Sequence, residues 1–458
     1  MSAGESKTEA DLSAPSLTDR LGAHLDATGL LEGAGLALLA VSGGNDSLAL
    51  LDLLATLGPA RGISLLVVHA DHGIHPGSAD VAGRVRALAR ERYGIDTAVG
   101  ELRLGASASE TRAREARYRW FRAVQAERDA RWLVTAHHAD DQVETVLLRL
   151  LRGSAGAGLA GIPARGPRGL VRPLLPFRRA ELAAHLAAAG IAPLFDDPAN
   201  ADPRHTRSWV RGVLLPLLES RLGAAAPEAL LEVARHAGRE LLAWDAALDV
   251  LPGLEPRLAQ GRMDVARSVL GGYDNALAER VLRAAARRCG VQLGPARARR
   301  VVAFAAGAAS GRRLELGEGV IAEAAFDRLV VSQLPEAWRP EALAGTSGEV
   351  PFGPVRLRWS AEPAPEALTR GGWTTWIEPG ALTARAARRG ERLRPLGSVG
   401  HRPVRRLLME AKVPRLDRDA WPVLERDGEA VWIPGVCRAD AAVPRPGSPA
   451  VRVDASAS

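Results

Sequence analysis

Ser42-Gly43-Gly44-Asn45-Asp46-Ser47 packs two hydroxyls, two glycines and a carboxylate between the apolar run 36–41 and the apolar-periodic stretch 48–54. That order reads as strand, tight turn and helix start. Glycines let the backbone take φ > 0 and crowd a ligand, the hydroxyls of Ser42 and Ser47 add donors, and the free N–H groups of a helix start favour an anion. The chemistry that suits these residues is the holding of phosphate. A Walker A loop would need GxxxxGK[ST], and there is no lysine here.

A second constellation is Thr135-Ala136-His137-His138-Ala139-Asp140-Asp141-Gln142-Val143-Glu144. It begins as a strand and becomes a helix, so Asp141 and Glu144, three apart, share one face of the first turn; His137 and Asp141 do so if the helix starts early. Acidic residues there often only offset the helix dipole. That explains one or two carboxylates, not three beside a histidine pair. The pair could hold Mg²⁺ against ATP phosphates or orient the ammonium of an amine substrate, and residue types alone leave both open.

His69, His72 and His75 are spaced like metal ligands, but a strand that becomes a loop does not converge such side chains. Asp71 and His72 are instead expected to line a nucleotide pocket. Arg114, Arg117 and Tyr118 occupy neighbouring positions of one helix, and Arg207 and Arg211 lie four apart on another. Both sets suit phosphate or RNA contact, with a solvated basic face as the competing reading. The GxGxxG within Gly153 to Gly161 follows a helix instead of a strand, so a dinucleotide site lacks its required context.

The elements that must position these groups alternate. Apolar runs at 36–41, 64–70, 97–102 and 132–136 are separated by helix-like stretches at 46–58, 78–92 and 108–128, which predicts a Rossmann-like α/β fold, a doubly wound parallel sheet. Ligands of such sheets sit outside the carboxyl ends of the strands. The polar clusters after the first, second and fourth strands therefore share one rim. Residues 178–189 and 204–222 read as helices, joined by turn chemistry at 195–203 that carries three carboxylates.

The expected organisation is a disordered tail over 1–18, an ATP-binding catalytic domain over 19–222, a mainly helical middle domain over 223–334, a linker over 335–348 and a small α+β C-terminal domain over 349–458. With 458 residues, 47% hydrophobic and 25% charged, the chain is an ordinary multidomain globular protein. No run of about 18 apolar residues and no secretory pattern appears, so a cytoplasmic, membrane-free protein is expected. Cys289 and Cys437 are far apart and form no CxxC, which supports neither a disulfide framework nor a metal cluster. The net charge of +7 is carried almost wholly by arginine, with Lys7 and Lys412 the two lysines. Clustered positive charge favours a polyanionic partner.

SGGxDS at 42–47, VHADHG at 68–73, AREARY at 113–118, TAHHADDQVETVLLRLLRGS at 135–154 and DPxNxDxxxxR over 197–207 together resemble the tRNA(Ile)-lysidine synthetases of the PP-loop ATP pyrophosphatases. GERLRPLG at 390–397, RRLL at 405–408, KVP at 412–414, WPVL at 421–424 and VWIPG at 431–435 resemble that family's C-terminal domain. The resemblance implies a cytoplasmic ligase with ATP and Mg²⁺ as cofactors, and tRNA(Ile) with a CAU anticodon and L-lysine as partners. ATP would adenylate the 2-carbonyl oxygen of the wobble cytidine, and the lysine ε-amine would then displace AMP.

It further implies that Ser42, Gly43, Gly44, Asn45 and Ser47 cradle phosphates, with Asp71 and His72 beside them. Asp46 would serve Mg²⁺ handling or activation, while Asp141 and Glu144 would orient the lysine. Arg114, Arg117, Arg207 and Arg211 would meet phosphates or the flipped cytosine, near His137 and His138. Arg394, Arg405 and Arg406 would grip the tRNA acceptor stem. Ser208 stands where the family pattern has asparagine, and Arg405-Arg406 where it has two lysines. The competing functions are another tRNA-modifying PP-loop enzyme and a basic RNA-binding protein without turnover; the sequence leaves the oligomeric state open.

Overall fold

The computed structural model describes residues 15–73, 78–105, 109–154, 156–195, 206–333, 339–369 and 371–457. His75, the carboxylates Asp196, Asp197 and Asp202, residues 335–338 of the expected linker and most of the expected tail lie outside them. The chain divides into two compact units, 1–241 and 242–458.

The first unit is built on five parallel strands: β1 (Gly35–Ala40), β2 (Ile63–Asp71), β3 (Thr97–Glu101), β4 (Trp132–Val134) and β5 (Leu170–Val171). Their order is β3-β2-β1-β4-β5. The chain steps outward from β1 to β3, then returns to the other side of β1, so the switch point lies between β1 and β4. Helices α1 (Leu17–Thr28), α2 (Asn45–Leu57), α3 (Ser78–Tyr93), α4 (Glu110–Glu127), α5 (Ala139–Leu151) and α6 (Arg179–Ala188) accompany the sheet. Helix α1 starts at Leu17, because the Ser16 hydroxyl accepts from Asp19 N–H as its cap.

Alternation along β1 sends neighbouring leucines to opposite faces. Leu39 joins a core with Leu48, Leu51 and Leu54 of α2, Val85 of α3 and Leu182 of α6. Leu38 joins Val68, Leu133 and Phe121 of α4 on the other. Downstream, α7 (Thr206–Trp209) passes through a π-helical turn, Val210–Leu214, into α8 (Leu215–Leu222), and α9 (Ala225–Val250) follows.

In the second unit, β6 (Arg257–Ala259), β7 (Arg262–Ala266), β8 (Arg313–Gly317), β9 (Val320–Ala325) and β10 (Arg328–Gln333) form an antiparallel sheet ordered β6-β7-β10-β9-β8. It packs with α10 (Arg267–Gly271), α11 (Asn275–Arg288) and α12 (Pro295–Gly307) around Val265, Val281, Val301 and Leu329. Beyond residue 339 the chain forms a five-stranded and a four-stranded sheet. Buried Glu323 of β9 accepts from the backbone N–H of Arg415 at 2.6 Å and of Leu416 at 2.7 Å. Asp417 pairs with Arg262 of β7. The C-terminal segment is thereby fastened to the middle sheet.

Candidate active site

Two glycine requirements coincide at Gly43. Its φ is +92°, and a Cβ there would come within 3.1 Å of Val81 Cγ1. The Ser47 hydroxyl turns back into the loop. Its Oγ accepts from Ser42 N–H at 3.1 Å and Gly43 N–H at 3.2 Å, and donates to the Gly44 carbonyl at 2.9 Å. Ser47 thus shapes the turn. Helix α2 begins at Asn45 with Gly44 as its N-cap and no side-chain cap, which leaves its positive end to the cavity alongside.

That cavity, about 1340 Å³, is lined by the loop, by Asp71 and His72 at the end of β2, by His137, Asp140 and Asp141 after β4, and by Arg117, Arg179, Arg207 and Arg211. The three rim clusters meet there. Asp71 Oδ1 accepts from Gly73 N–H at 2.8 Å and fixes the turn after β2. His69 is buried, with Nδ1 2.8 Å from the Val41 carbonyl; burial pushes its pKa down. Among the described residues no three His, Cys, Asp or Glu side chains converge to hold a metal ion.

Asp46 is the first carboxylate of α2. Its Oδ2 lies 3.3 Å from His138 Nε2 and 3.4 Å from Arg179 Nη2, while its Oδ1 is buried with no hydrogen-bond partner among the described residues. Burial would raise the Asp46 pKa, but the His138 bond and the charges of His138 and Arg179 outweigh it and hold it low. His138 shows the reciprocal effect. Burial alone would lower its pKa, yet Asp140, Asp46 and Asp141, at 3.5, 3.3 and 3.6 Å, raise it to about 9. The adjacent His137 is driven the other way, to about 4, by burial first and by Arg172, Arg114 and Arg207, against Asp141. At neutral pH one imidazole is charged and its neighbour is not.

Asp140 ties α5 to α6. Its Oδ1 meets Arg178 Nη2 at 2.8 Å, and its Oδ2 accepts from the Arg179 backbone N–H at 2.7 Å. Despite burial, its contacts with His138, Arg179 N–H and Arg178 hold its pKa well below the usual carboxylate range.

Asp141 and Glu144 do share a face, and two arginines cover it. Glu144, 1% exposed, accepts from Arg207 Nε at 2.6 Å and Arg211 Nε at 2.5 Å. Asp141 lies 2.9 Å from Arg207 Nη2 and 3.8 Å from Arg211 Nη2, and takes the His138 backbone N–H at 3.1 Å. Asp141 faces the cavity. Glu144 sits behind the wall and holds the arginines in it.

Arg114 rests over the Tyr118 ring, 5.0 Å from its centroid, and Tyr118 lines the cavity beside Arg117. Two features carried no chemistry in the sequence. Arg172 is buried, donates to the Pro163 carbonyl at 2.7 Å, and has its pKa lowered by burial. Arg178 and Arg179 stand at the start of α6, the positive end of a helix, where cations are disfavoured. That misplacement is a readable signal: such a pair needs anions nearby, and Asp140 and Asp46 are those anions.

In the second unit Arg394 meets Asp440 at 2.6 Å, Arg405 meets Asp419 at 2.8 Å and Arg406 meets Glu410 at 3.0 Å. These are surface pairs. Water screens each of them, so a phosphate could displace the carboxylate at little cost.

Residues 20–218 match the PP-loop domain, and residues 382–455 match the TilS substrate C-terminal domain. The chain is 32% identical to the tRNA(Ile)-lysidine synthase of Symbiobacterium thermophilum over 92% of this chain and 94% of that protein. It is 35% identical to that of Alkalilimnicola ehrlichii, covering 89% and 91%, and 29% identical to that of Geobacillus kaustophilus, covering 92% and 95%. The uncapped phosphate-type loop, the parallel sheet that carries it and this end-to-end similarity agree: the chain belongs to the tRNA(Ile)-lysidine synthase family, ligases built on a PP-loop ATP pyrophosphatase domain.

Proposed function

We propose that the chain joins free L-lysine to C2 of the wobble cytidine of a tRNA(Ile) with a CAU anticodon, in two steps in the one cavity. The observation that carries this reading is the uncapped start of α2, with the Asp46 carboxylate beside it, at a cavity lined also by Arg117, Arg179, Arg207 and Arg211. Backbone N–H groups of that first turn would hold the triphosphate.

Asp46 fits the need for Mg²⁺, which takes one or two carboxylates and completes its shell with substrate phosphates and water. Bound there, the ion would neutralise phosphate charge. His138, charged at neutral pH, keeps Asp46 ionised for it. In the first step the cytosine O2 attacks the α-phosphorus and pyrophosphate leaves. In the second the lysine ε-nitrogen, having released a proton to solvent, attacks C2, and the C2–O2 bond breaks so that AMP leaves with that oxygen. Adenylation turns a poor leaving oxygen into a good one; the rest is positioning and electrostatics.

Asp141 is the carboxylate on the cavity wall suited to the lysine ammonium. Glu144 acts through Arg207 and Arg211, which would face the tRNA or adenylate phosphate. His137, neutral, offers a hydrogen bond to the cytosine without adding charge. Arg394, Arg405 and Arg406 would hold phosphates of the tRNA away from the cytidine, contacts that position without specifying.

The test is incubation with ATP, Mg²⁺, labelled lysine and unmodified CAU tRNA(Ile). One lysine incorporated into RNA per AMP formed supports the reading. AMP without lysine incorporation would point to another nucleophile, and no AMP to a binding protein.

A further inference from the structure

Helices α2 and α6 are joined by two polar rungs with equal spacing. Asp46 and Asp52 lie six residues apart on α2, as do Arg179 and His185 on α6. The first rung is Asp46 to Arg179 at 3.4 Å, and the second is Asp52 Oδ2 to His185 Nε2 at 2.7 Å. Tyr93 of α3 braces the second rung, its hydroxyl donating to Asp52 Oδ1 at 2.7 Å. Six helical residues rise about 9 Å, so the rungs keep α2 and α6 in parallel register with both N-termini at the cavity.

The arginines near the loop are not equally committed. Arg207 and Arg211 are held by Glu144 and Asp141, and Arg178 is held by Asp140 at 2.8 Å. Arg179 differs. Its main chain is fixed by Asp140, yet among the described residues its guanidinium has one partner, Asp46 Oδ2, at 3.4 Å. A charge-assisted bond of normal strength would be about 2.7–2.9 Å. With five N–H donors and a loose grip, this guanidinium has capacity to spare, in the same cavity as the phosphate loop.

We propose that Arg179 is the cation that receives the departing pyrophosphate, and that the Asp52–His185 rung is the positioning contact that keeps it in reach. This rests on the ATP chemistry proposed above. As the cytosine O2 bonds to the α-phosphorus, the bond from that phosphorus to the α–β bridging oxygen breaks, and its electron pair stays on that oxygen. Arg179 donates N–H to the growing charge, releasing Asp46 from their contact; no proton is transferred.

The experiment uses the full chain with Arg179→Gln, Arg179→Lys and His185→Phe. Binding of inorganic pyrophosphate with Mg²⁺ is measured by calorimetry, and pyrophosphate release is followed with ATP and CAU tRNA(Ile). Arg179→Gln should weaken pyrophosphate binding at least tenfold and slow its formation by about 10²-fold or more, the usual cost of losing a donor aimed at developing charge. Arg179→Lys should restore part of both, and tRNA affinity should be unchanged. His185→Phe should give a smaller loss that disappears in the Arg179→Gln background, since a residue acting through Arg179 has nothing left to position there. Unaltered pyrophosphate affinity in Arg179→Gln would overturn the proposal, and an additive His185 effect would overturn the positioning role. A chain that incorporates no lysine would instead remove the proposed reaction, while pyrophosphate affinity would still decide what Arg179 binds.

Discussion

Replacing His138 by glutamine should lower stability at neutral pH and abolish one arm of its pH dependence. In the folded chain this imidazole has a pKa of about 9 against an ordinary 6.5. A difference near 2.5 units corresponds to roughly 3 kcal/mol, shared with Asp46, Asp140 and Asp141 and therefore counted once. The sign follows from the direction of the shift: folding favours the proton, so the contribution is complete below about pH 6.5 and fades as pH rises to 9. His137 runs oppositely, because its folded pKa of about 4 means that folding favours the neutral ring. Its contribution is complete above about pH 6.5 and fades as pH falls toward 4.

For a unit of this size roughly 3 kcal/mol is about 6–12 °C in Tm, an upper bound because glutamine keeps one hydrogen bond. Thermal unfolding of the wild-type chain and His138→Gln at pH 6, 7.5 and 9.5 gives the comparison. The gap should be widest at pH 6 and close by 9.5. Parallel curves across that range, or a His138 resonance titrating near 6.5 in a histidine-labelled sample, would refute the electrostatic argument.

Other substitutions probe separate parts of the site. Glu144→Gln offers one acceptor where two arginine Nε groups bond, so it should cost about 2 kcal/mol and slow lysine incorporation; unchanged melting and turnover would show that Arg207 and Arg211 need no such support. Ser47→Ala removes the acceptor for the Ser42 and Gly43 amides, and should lose about 1–3 kcal/mol along with ATP affinity, read by calorimetry. Arg405→Glu with Arg406→Glu should weaken tRNA binding and reduce its salt slope by about 2, without changing ATP affinity. A salt slope equal to wild type would remove these arginines from the RNA interface. Deleting everything after about residue 345 is a poorer test, because it would strip buried Glu323 of the amides of Arg415 and Leu416.

Much of the first unit was legible because its strands and helices are strongly periodic and its chemistry sits at their junctions. Ser42 to Ser47 and His137 to Glu144 fall where the strand pattern ends, and a parallel sheet brings such ends together. Strand β5 escaped notice because it has two residues, Leu170 and Val171, in a stretch rich in Pro and Gly. The pair β6 and β7 is short as well, and burial alternates weakly along it.

In the site, spacing placed Asp141 and Glu144 on one face. It gave no sign that Arg207 and Arg211, more than sixty residues later, would cover Glu144 and leave Asp141 at the wall. Nor did the clustered arginines of the C-terminal segment reveal their partners Asp440, Asp419 and Glu410. Charge is visible in a sequence; pairing between distant segments is not.

The most direct measurement is a crystal structure with a nonhydrolysable ATP analogue and Mg²⁺. The account predicts phosphate oxygens against the backbone N–H groups of the first turn of α2 and the metal on the Asp46 carboxylate. A triphosphate bound elsewhere, with that helix start empty, would contradict it.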